Sequence, residues 1–391
     1  MGAAAPSGFV SISNVATVAP QAALNASIAA TNFPNPGPIS ASGSFNLLNP
    51  GATDNSSLQV VLNTATAGNY TGANAGKATV SLVSDASNVG NCAPNCQLNL
   101  ASQHVSVEGK VYTAAVGSPS TAGLNFGIVR VGDTVNARNI VVNNGAAVTA
   151  LNDTLPANLS GIGGPFGGAG TVGGVGAGAS ANIGVTLNKA SNGVFSQNGS
   201  VSFLSQNPDL ADISAGDDHA VLIQAQVNAL AYAQINLRGG QGSLTLVGET
   251  FTLDFGTLTE GTLVTSLLDI SNQVAGPADE LNGAFDLGAA AGLTLGNWNA
   301  FTGLLAGADT DDMTLALTAS DLGLFERQIA FNGTSTNASD PNGLAVLRNL
   351  VIRANVATSG VAIVPEPGTM ALVLAAAAAA LLSRRRNVVR A

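Results

Sequence analysis

Residues 124–132 read LNFGIVRVG, and residues 253–261 read LDFGTLTEG. Phe126 and Phe255 therefore recur 129 positions apart, each with a leucine two residues before it and a glycine directly after it. Alternation of apolar and polar residues over so few positions is typical of a half-buried β-strand. We expect the phenylalanine to face a core and the glycine to permit a bend or bulge.

Two further anchors follow each of these stretches at nearly the same spacing. A strand ending in asparagine comes first, as IVVNN at residues 140–144 and LDISN at residues 268–272. A closing strand comes later, as IQAQV at residues 223–227 and IRANV at residues 352–356. Self-similarity at a constant offset indicates a repeated structural unit, so this region contains two copies of one domain.

The first 115 residues contain a third, shorter copy. Residues 10–14 (VSISN) match the asparagine-ending strand, and residues 107–111 (VEGKV) match the closing strand. The counterpart of the Leu-x-Phe-Gly strand would fall before Met1, and the first residues lack the basic and apolar stretches of a secretory signal. We therefore expect an opening strand and a signal peptide to be missing. The alternative is that this copy begins differently and is exported by another route.

The repeats predict an all-β protein of tandem immunoglobulin-like antiparallel β-sandwiches. Each copy consists of short alternating segments separated by Gly, Asn, Asp and Pro, which is the pattern of such sandwiches. The predicted modules are residues 1–115, 116–235 and 243–360, with a linker over residues 235–242.

The last thirty-one residues, 361–391, have a different character. An uncharged apolar run, more than half of it alanine, occupies residues 370–382. The run follows a proline-bounded turn of Pro365, Glu366 and Pro367, and precedes a cluster of Arg384, Arg385 and Arg386. We predict a single short C-terminal transmembrane helix over residues 369–383. At about 1.5 Å per residue it is shorter than a hydrocarbon core of about 30 Å, so it is a marginal anchor. The arginines should stay in the cytoplasm and leave the preceding chain outside.

This tail resembles the PEP-CTERM protein-sorting signal, which combines a Pro-Glu-Pro motif, one apolar helix and a terminal arginine cluster. The resemblance implies an exported protein of a Gram-negative, exopolysaccharide-producing bacterium. It also implies a partner, an exosortase, which is a membrane transpeptidase that would cleave near Pro365–Pro367. The protein would be held in the inner membrane transiently and then reach the cell surface or extracellular matrix. The alternative is an ordinary tail anchor with an incidental Pro-Glu-Pro sequence.

The repeats carry a second resemblance. The pattern Leu-x-Phe-Gly-x-Val-x-x-Gly, followed by a strand ending in asparagine, is similar to choice-of-anchor D repeats and related bacterial immunoglobulin-like surface modules. Those modules occur in exported proteins with various C-terminal anchors. The match covers the second and third copies well and the first in part.

Composition narrows the possible partners. The 391 residues carry a net charge of −10, and only 9% of them are charged. An acidic chain lacks the basic patches that bind nucleic acid, so we expect no nucleic-acid partner.

In an oxidising exterior, Cys92 and Cys96 in the sequence Cys-Ala-Pro-Asn-Cys favour a small disulfide loop. Free thiols and a metal site are the alternatives, and the metal site would need two more ligands.

No catalytic constellation is visible, so we expect no enzyme and no cofactor. Residues 168–173 match G-x-G-x-x-G, but no helix is predicted after them, and we interpret residues 161–178 as a flexible loop. His219 has no nucleophile motif beside it and is expected to begin a strand at a turn.

The leading hypothesis is an exported, non-enzymatic surface or matrix protein, with an exopolysaccharide layer as a further partner. The alternative is a carbohydrate- or calcium-binding module, with Asp309, Asp311 and Asp312 as weak calcium candidates.

Overall fold

The computed structural model describes residues 4–31, 38–94, 96–168, 170–358 and 372–380. The chain divides into two compact units, Met1–Val227 and Asn228–Ala391. Strands dominate both units, and the buried apolar residues form four clusters: one in each of the first two copies of the repeat and two in the third. We keep the names module 1, module 2 and module 3 for the three sandwiches whose strands are given below.

Module 1 is built from two facing sheets and a short two-stranded ribbon. Its first sheet has the order β1-β5-β3, its second has the order β4-β2-β7-β8 with β9 also on β7, and β6 pairs with β10. Alternate residues such as Leu58 and Val80 point into the core and are fully buried. The strands are β1 (Ser7–Ser13), β2 (Ala23–Thr31), β3 (Ile39–Ser42), β4 (Ser44–Leu48), β5 (Thr53–Leu62), β6 (Gly68–Tyr70), β7 (Gly76–Asp85), β8 (Gln97–Asn99), β9 (Gln103–Val107) and β10 (Gly109–Val111), with a 3-10 turn at Gly72–Asn74.

Module 2 has the same arrangement with a longer second sheet. The two sheets have the orders β11-β13-β17-β15 and β12-β20-β18-β14-β16, with β19 on β18. The strands are β11 (Gly117–Pro119), β12 (Gly123–Arg130), β13 (Arg138–Asn144), β14 (Leu155–Ser160), β15 (Phe166–Gly168), β16 (Thr171–Val175), β17 (Ser180–Leu187), β18 (Gly193–Ser205), β19 (Ile213–Ser214) and β20 (His219–Asn228).

Module 3 repeats this plan within the second unit. Its sheets have the orders β21-β24-β28-β26 and β22-β23-β30-β29-β25-β27. The strands are β21 (Ala233–Gly240), β22 (Ser243–Val247), β23 (Thr250–Thr259), β24 (Leu263–Asn272), β25 (Glu280–Asp286), β26 (Leu293–Gly296), β27 (Phe301–Leu304), β28 (Met313–Thr318), β29 (Gly323–Asn337) and β30 (Asp340–Ala357), with a 3-10 turn at Leu287–Ala289.

The Phe-Gly pattern has the predicted role. Phe126 is buried in the core of module 2, and Phe255 is half-buried against the core of module 3. Gly127 and Gly256 have φ values of +75° and +68°, a conformation that favours glycine, and the register of β23 shifts around Gly256. The predicted bulge after the phenylalanine is therefore confirmed in module 3.

The direction of one strand pair differs from the prediction. β23 runs parallel to β30, with Leu253 opposite Ile352, so the expectation of purely antiparallel sheets is wrong at this pair. The two strands are about ninety residues apart along the chain. Alternation within each strand indicates which side chains are buried, but it carries no information on the direction of a distant neighbour.

Two predicted irregular segments form strands instead. The expected linker over residues 235–242 is largely β21, which pairs with β24 and buries Ile235 completely. The expected flexible loop over residues 161–178 contains β15 and β16. Glycine suits these strands because a Cβ atom at Gly168 would clash with the carbonyl of Gly184 on the adjacent strand.

The described part of the C-terminal tail is a helix over residues 372–380 with exposed side chains. Within the ranges that the structure describes, no helix is long and apolar enough to cross a membrane. The predicted span over residues 369–383 therefore has no support from the structure. The sorting motif at Pro365–Pro367 and the arginines at Arg384–Arg386 lie outside the described residues.

Candidate functional site

A cavity of about 490 Å³ opens on module 3, between β27 and the turns before and after it. Its volume falls within the range of about 300–1,000 Å³ that is usual for small-ligand pockets. The lining combines amides, carboxylates and apolar groups. It includes Asn297, Asn299, Phe301, Asp309, Asp311 and Met313. We call this feature the module-3 cavity.

Phe301, which lines the module-3 cavity, belongs to an aromatic cluster. The ring of Phe301 stacks on Phe331 with centroids 6.0 Å apart, and Phe331 lies 5.2 Å from Phe285. Trp298 meets Phe285 edge-on at 4.7 Å and donates its indole N–H to the Thr314 carbonyl at 2.8 Å. Such ring pairs add stability beyond the area they bury, so the half-buried ring of Phe301 is held on a packed base.

One wall of the cavity is held by the buried asparagine at the end of β24. The side chain of Asn272 donates to the carbonyls of Leu304 at 3.1 Å and Asp279 at 3.0 Å. Its backbone N–H donates to Ala308, and its carbonyl accepts from Gly307. These bonds anchor the loop that carries Asp309 and Asp311 on the cavity wall.

An arginine joins two carboxylates behind this wall. Nε of Arg238 lies 3.1 Å from Oδ2 of Asp269, as an ion pair without the alignment of a hydrogen bond, and its Nη2 lies 3.6 Å from Oδ2 of Asp309. Burial raises the pKa of Asp269 above its usual value, and the charges of Asp309 and Asp312 raise it further. Arg238 and a 2.7 Å hydrogen bond from Asn236 oppose that rise in pKa. Arg238 therefore ties Asp309 to the body of the module.

The three calcium candidates do not form a cluster. Asp309 pairs with Arg238, Asp311 lines the cavity, and Asp312 lies outside the lining while its backbone carbonyl accepts from Asn297 at 3.0 Å. In the part of the chain that the structure describes, no three His, Cys, Asp or Glu residues are grouped to hold a metal ion. Asp309 and Asp311 are thus the two calcium candidates whose side chains line the cavity.

The two cysteines are free thiols in the structure. Sγ of Cys96 donates to the carbonyl of Cys92 at 2.7 Å. The hydrogen bond with Cys96, followed by burial, raises the pKa of Cys92 to about 11. The small disulfide loop between them stays a prediction.

His219 and the G-x-G-x-x-G match both belong to β-strands. His219 begins β20, as predicted, and its ring meets Phe203 edge-on at 5.8 Å. The G-x-G-x-x-G match leads into strand β16 rather than a helix, so it lacks the helix N-terminus that binds a dinucleotide phosphate.

Sequence reasoning missed most of the module-3 cavity. Asn297, Asn299 and Phe301 lie in the sequence NWNAF, an unusual concentration of rings in a chain that is only 4% aromatic. That local signal could have directed attention to this turn. Arg238 and Asp269 had no such signal, because Arg238 fell in the expected linker and Asp269 fell in a strand.

Comparisons with known proteins leave the family open. No sequence-family profile matches the chain, and no curated protein matches it. Among solved structures, the EC22-24 segment of mouse cadherin-23 is 13% identical, with coverage of 92% of this chain and 94% of that chain and a TM-score of 0.36. The EC1-4 segment of PcdhgB3 is 11% identical, with coverage of 88% and 73% and a TM-score of 0.39. A protein of unknown function from Porphyromonas gingivalis is 14% identical, with coverage of 61% and 99% and a TM-score of 0.24. These scores are too low to carry a conclusion about function.

Proposed function

We propose that this chain is an exported, non-enzymatic protein of the cell surface or extracellular matrix of a Gram-negative bacterium. The observation that carries the proposal is the order of elements in the tail: Pro365-Glu366-Pro367, one short apolar run and Arg384–Arg386. The β-sandwich cores of the described residues are compatible with a structural or adhesive body.

In this proposal the tail acts as a temporary membrane anchor. Its apolar run is short and alanine-rich, so its free energy of membrane insertion is small, and the arginines keep its end in the cytoplasm. An exosortase-type transpeptidase would cleave near Pro365–Pro367 and release the body toward the exopolysaccharide layer. The acidic body carries few positive charges that would retain it on anionic membrane lipids.

The test is processing of a tagged chain in an exosortase-containing host and in its deletion strain. A signal peptide is supplied at the N-terminus and an epitope tag is placed before residue 361. We expect the body outside the cells, without its tail, only where the exosortase is present. The triple variant Pro365→Ala, Glu366→Ala, Pro367→Ala should retain the tail, while the matched control Asn387→Ala, Val388→Ala, Val389→Ala should be processed normally. Normal processing of the first variant would overturn the proposal.

A second candidate function is binding of a neutral carbohydrate at the module-3 cavity. The observation that favours it is the juxtaposition of Asp311, Asn299 and the half-buried ring of Phe301 in one cavity. Carboxylates accept hydrogen bonds from sugar hydroxyls, amides both donate and accept, and the ring offers an apolar face. The negative charge of Asp309 and Asp311 disfavours acidic sugars.

Retention of the chain in gels that contain neutral or acidic polysaccharides tests this candidate. We expect retention by a neutral polymer, and loss of it in the double variant Asn299→Ala, Asp311→Ala. The matched control Asp217→Ala removes an exposed carboxylate in module 2 and should be retained like the original chain. A calcium-dependent rise in melting temperature, lost in Asp309→Ala, Asp311→Ala, Asp312→Ala, would replace the sugar proposal with the calcium alternative.

A further inference from the structure

Several asparagines of this chain are followed directly by glycine. Because glycine has no side chain, its backbone nitrogen can approach the side-chain amide carbon of the preceding asparagine. Attack at that carbon requires rotation of the backbone between the two residues, so the fold decides which pairs can react. The six asparagines are Asn144, Asn192, Asn198, Asn282, Asn332 and Asn342.

Two of these asparagines are held by their own side chains. Asn144 is almost completely buried, and its amide nitrogen donates to the carbonyl of Val175 at 3.0 Å. The amide nitrogen of Asn282 donates to the hydroxyl of Thr336 at 2.8 Å. Each amide must leave these partners before its carbon can meet the next backbone nitrogen.

Three others precede glycines that belong to paired strands. Gly193 and Gly199 of β18 lie opposite Val227 and Val221 of β20. Gly333 of β29 lies between β25 and β30 and is paired with both strands. Rotation of the backbone at these glycines would break hydrogen bonds of the sheet, so reaction there is slow.

Asn342 lies in a bulge of the hairpin formed by β29 and β30. Asn337 is opposite Asp340 and Ser335 is opposite Leu344, so one residue of β29 faces three residues of β30 between these pairs. The extra residues of a bulge are left out of the strand pairing. The side chain of Asn342 is exposed, and its amide has no hydrogen-bond partner among the residues that the structure describes.

The same bulge requires the glycine that follows Asn342. Gly343 has a φ of +68°, and a Cβ atom there would clash with the carbonyl of Ser335. The N–H of Gly343 donates to Oδ1 of Asp340 at 3.1 Å. A carboxylate therefore already lies on the proton that this nitrogen must lose before it can attack.

We propose that Asn342 is a site of spontaneous modification by water, promoted by the carboxylate of Asp340. The nitrogen of Gly343 gives its proton toward Asp340 and bonds to Cγ of Asn342. The bond from Cγ to Nδ2 breaks, and Nδ2 takes up a proton and leaves as ammonia, so a cyclic imide forms. Water then opens one of the two C–N bonds of the imide and leaves aspartate or isoaspartate.

This conversion replaces a neutral amide by a carboxylate and needs no oxidant, reductant or further reactant. The site is separate from the module-3 cavity and from the tail. It therefore stands or falls independently of the functions proposed above.

The test is incubation of the complete 391-residue chain in mildly alkaline buffer, followed by peptide mapping that resolves asparagine, aspartate and isoaspartate. Asn332 is the internal control, because it is also exposed and followed by glycine but lies in a paired strand. We expect Asn342 to convert about tenfold faster or more, since a strand hydrogen bond must break at Asn332. Equal rates at the two sites, or an unchanged Asn342, would overturn the proposal.

Variants of the bulge test the chemistry. Asn342→Ser should leave the melting temperature unchanged, because the side chain is exposed, and should remove the slow gain of negative charge seen by isoelectric focusing. A gain of charge as fast as in the original chain would overturn the proposal.

Two changes at Asp340 test the part played by its carboxylate. Asp340→Asn keeps an oxygen that can accept from Gly343 but removes the charge, so conversion of Asn342 should slow several-fold. The new amide precedes Pro341, which has no N–H and cannot react in the same way. Asp340→Glu keeps a carboxylate and should convert faster than Asp340→Asn. Conversion of Asp340→Asn at the original rate or above would overturn the role of Asp340.

Discussion

Modules 1 and 2 place a buried asparagine at the same point and use it in the same way. The side chain of Asn14 donates to the carbonyls of Ala22 and Leu48, and that of Asn144 donates to the carbonyls of Asp153 and Val175. In both modules this amide, at the end of a strand of one sheet, binds one loop carbonyl and the carbonyl of the last residue of a strand in the other sheet. The asparagine therefore makes the same kind of connection in both modules.

The two modules differ in a buried carboxylate. In module 2, Asp153 accepts from the hydroxyl of Ser205 at 2.6 Å and from the side chain of Asn207 at 3.0 Å. Module 3 repeats this cluster around Asp279, but module 1 has Ala22 at the equivalent position. The serine of the cluster also accepts from the segment that leads into the opening strand, at Ala115 N–H. The carboxylate and the opening strand thus occur together, and module 1 lacks both in the described residues.

The largest expected effect comes from exchanging this carboxylate. Asp153→Ala should lower the free energy of unfolding of module 2 by about 3 kcal/mol, because it leaves two hydrogen-bond donors without their acceptor, at about 1–3 kcal/mol for each buried group. The reverse change Ala22→Asp should cost about 1 kcal/mol or less, since Ala22 lines an open cavity. Native-state hydrogen exchange reports each module separately. Equal costs would contradict the difference between the modules.

A smaller effect is expected from the matched valines of the closing strands. Val221→Ala should destabilise module 2 by about 2–3 kcal/mol, because it removes fully buried methyl groups and leaves a cavity. Val105→Ala should destabilise module 1 by about 1 kcal/mol, because its side chain is already half-exposed. Hydrogen-exchange protection of the backbone amides in β20 and β9 measures the two losses of stability. A cost at Val105 as large as that at Val221 would mean that module 1 is covered in solution.

A weaker contact joins the two modules within the first unit, and it should depend on pH. Hydrogen bonds from Lys110 and then Tyr112 lower the pKa of Asp209 below its ordinary value of 3.8. The folded unit therefore holds the proton less tightly than the unfolded chain, so this stabilisation is complete above 3.8 and is lost as the pH falls through the lower folded value. Melting temperatures from about pH 6 to about pH 2 should fall more steeply for the original chain than for Asp209→Asn. Asp217→Asn is the control and should follow the original chain.

The smallest expected effect concerns the cysteines, which occur only in module 1. Because the pKa of Cys92 is raised to about 11, few of its thiols ionise near neutral pH, and it should react slowly with iodoacetamide. Mild oxidation should close the short loop and stabilise module 1 only slightly, because a short loop has little closure entropy to remove. Mass spectrometry before and after reduction measures the disulfide. Rapid alkylation of Cys92 at neutral pH would show that its hydrogen bond with Cys96 is absent in solution.

Local patterns predicted the repeat and much of its strand content. The Phe-Gly dipeptides, the strands ending in Asn144 and Asn272, and the start of β20 at His219 all follow from short-range alternation and turn residues. The same reasoning failed in β15 and β16, where glycine replaces most large apolar residues, and in β21, whose alternating Ala233, Ile235 and Leu237 end in two glycines. Small residues give no periodic signal, although they form strands where a neighbouring backbone approaches closely.

The candidate site was predictable only in part, for a related reason. The sequence showed Asp309 and Asp311 as a charged turn. It did not show the ion pairs of Arg238 with Asp269 and Asp309, which depend on strands β21 and β24. Nothing in the spacing of these residues indicates that Arg238 lies within ion-pair distance of both Asp269 and Asp309. The pairing of β21 with β24 brings them together.

By itself the sequence determined the presence of a repeat, the alternating faces of most strands and the separate character of the tail, because each depends on residues close together in the chain. Only the tertiary structure decided that β23 runs parallel to β30, that Asp153 meets Ser205, and that a cavity lies beside Asn14 in module 1. These features join residues dozens to about a hundred positions apart, and the free energy that selects such a partner comes from burial and hydrogen bonding across the sheets, which no local pattern records.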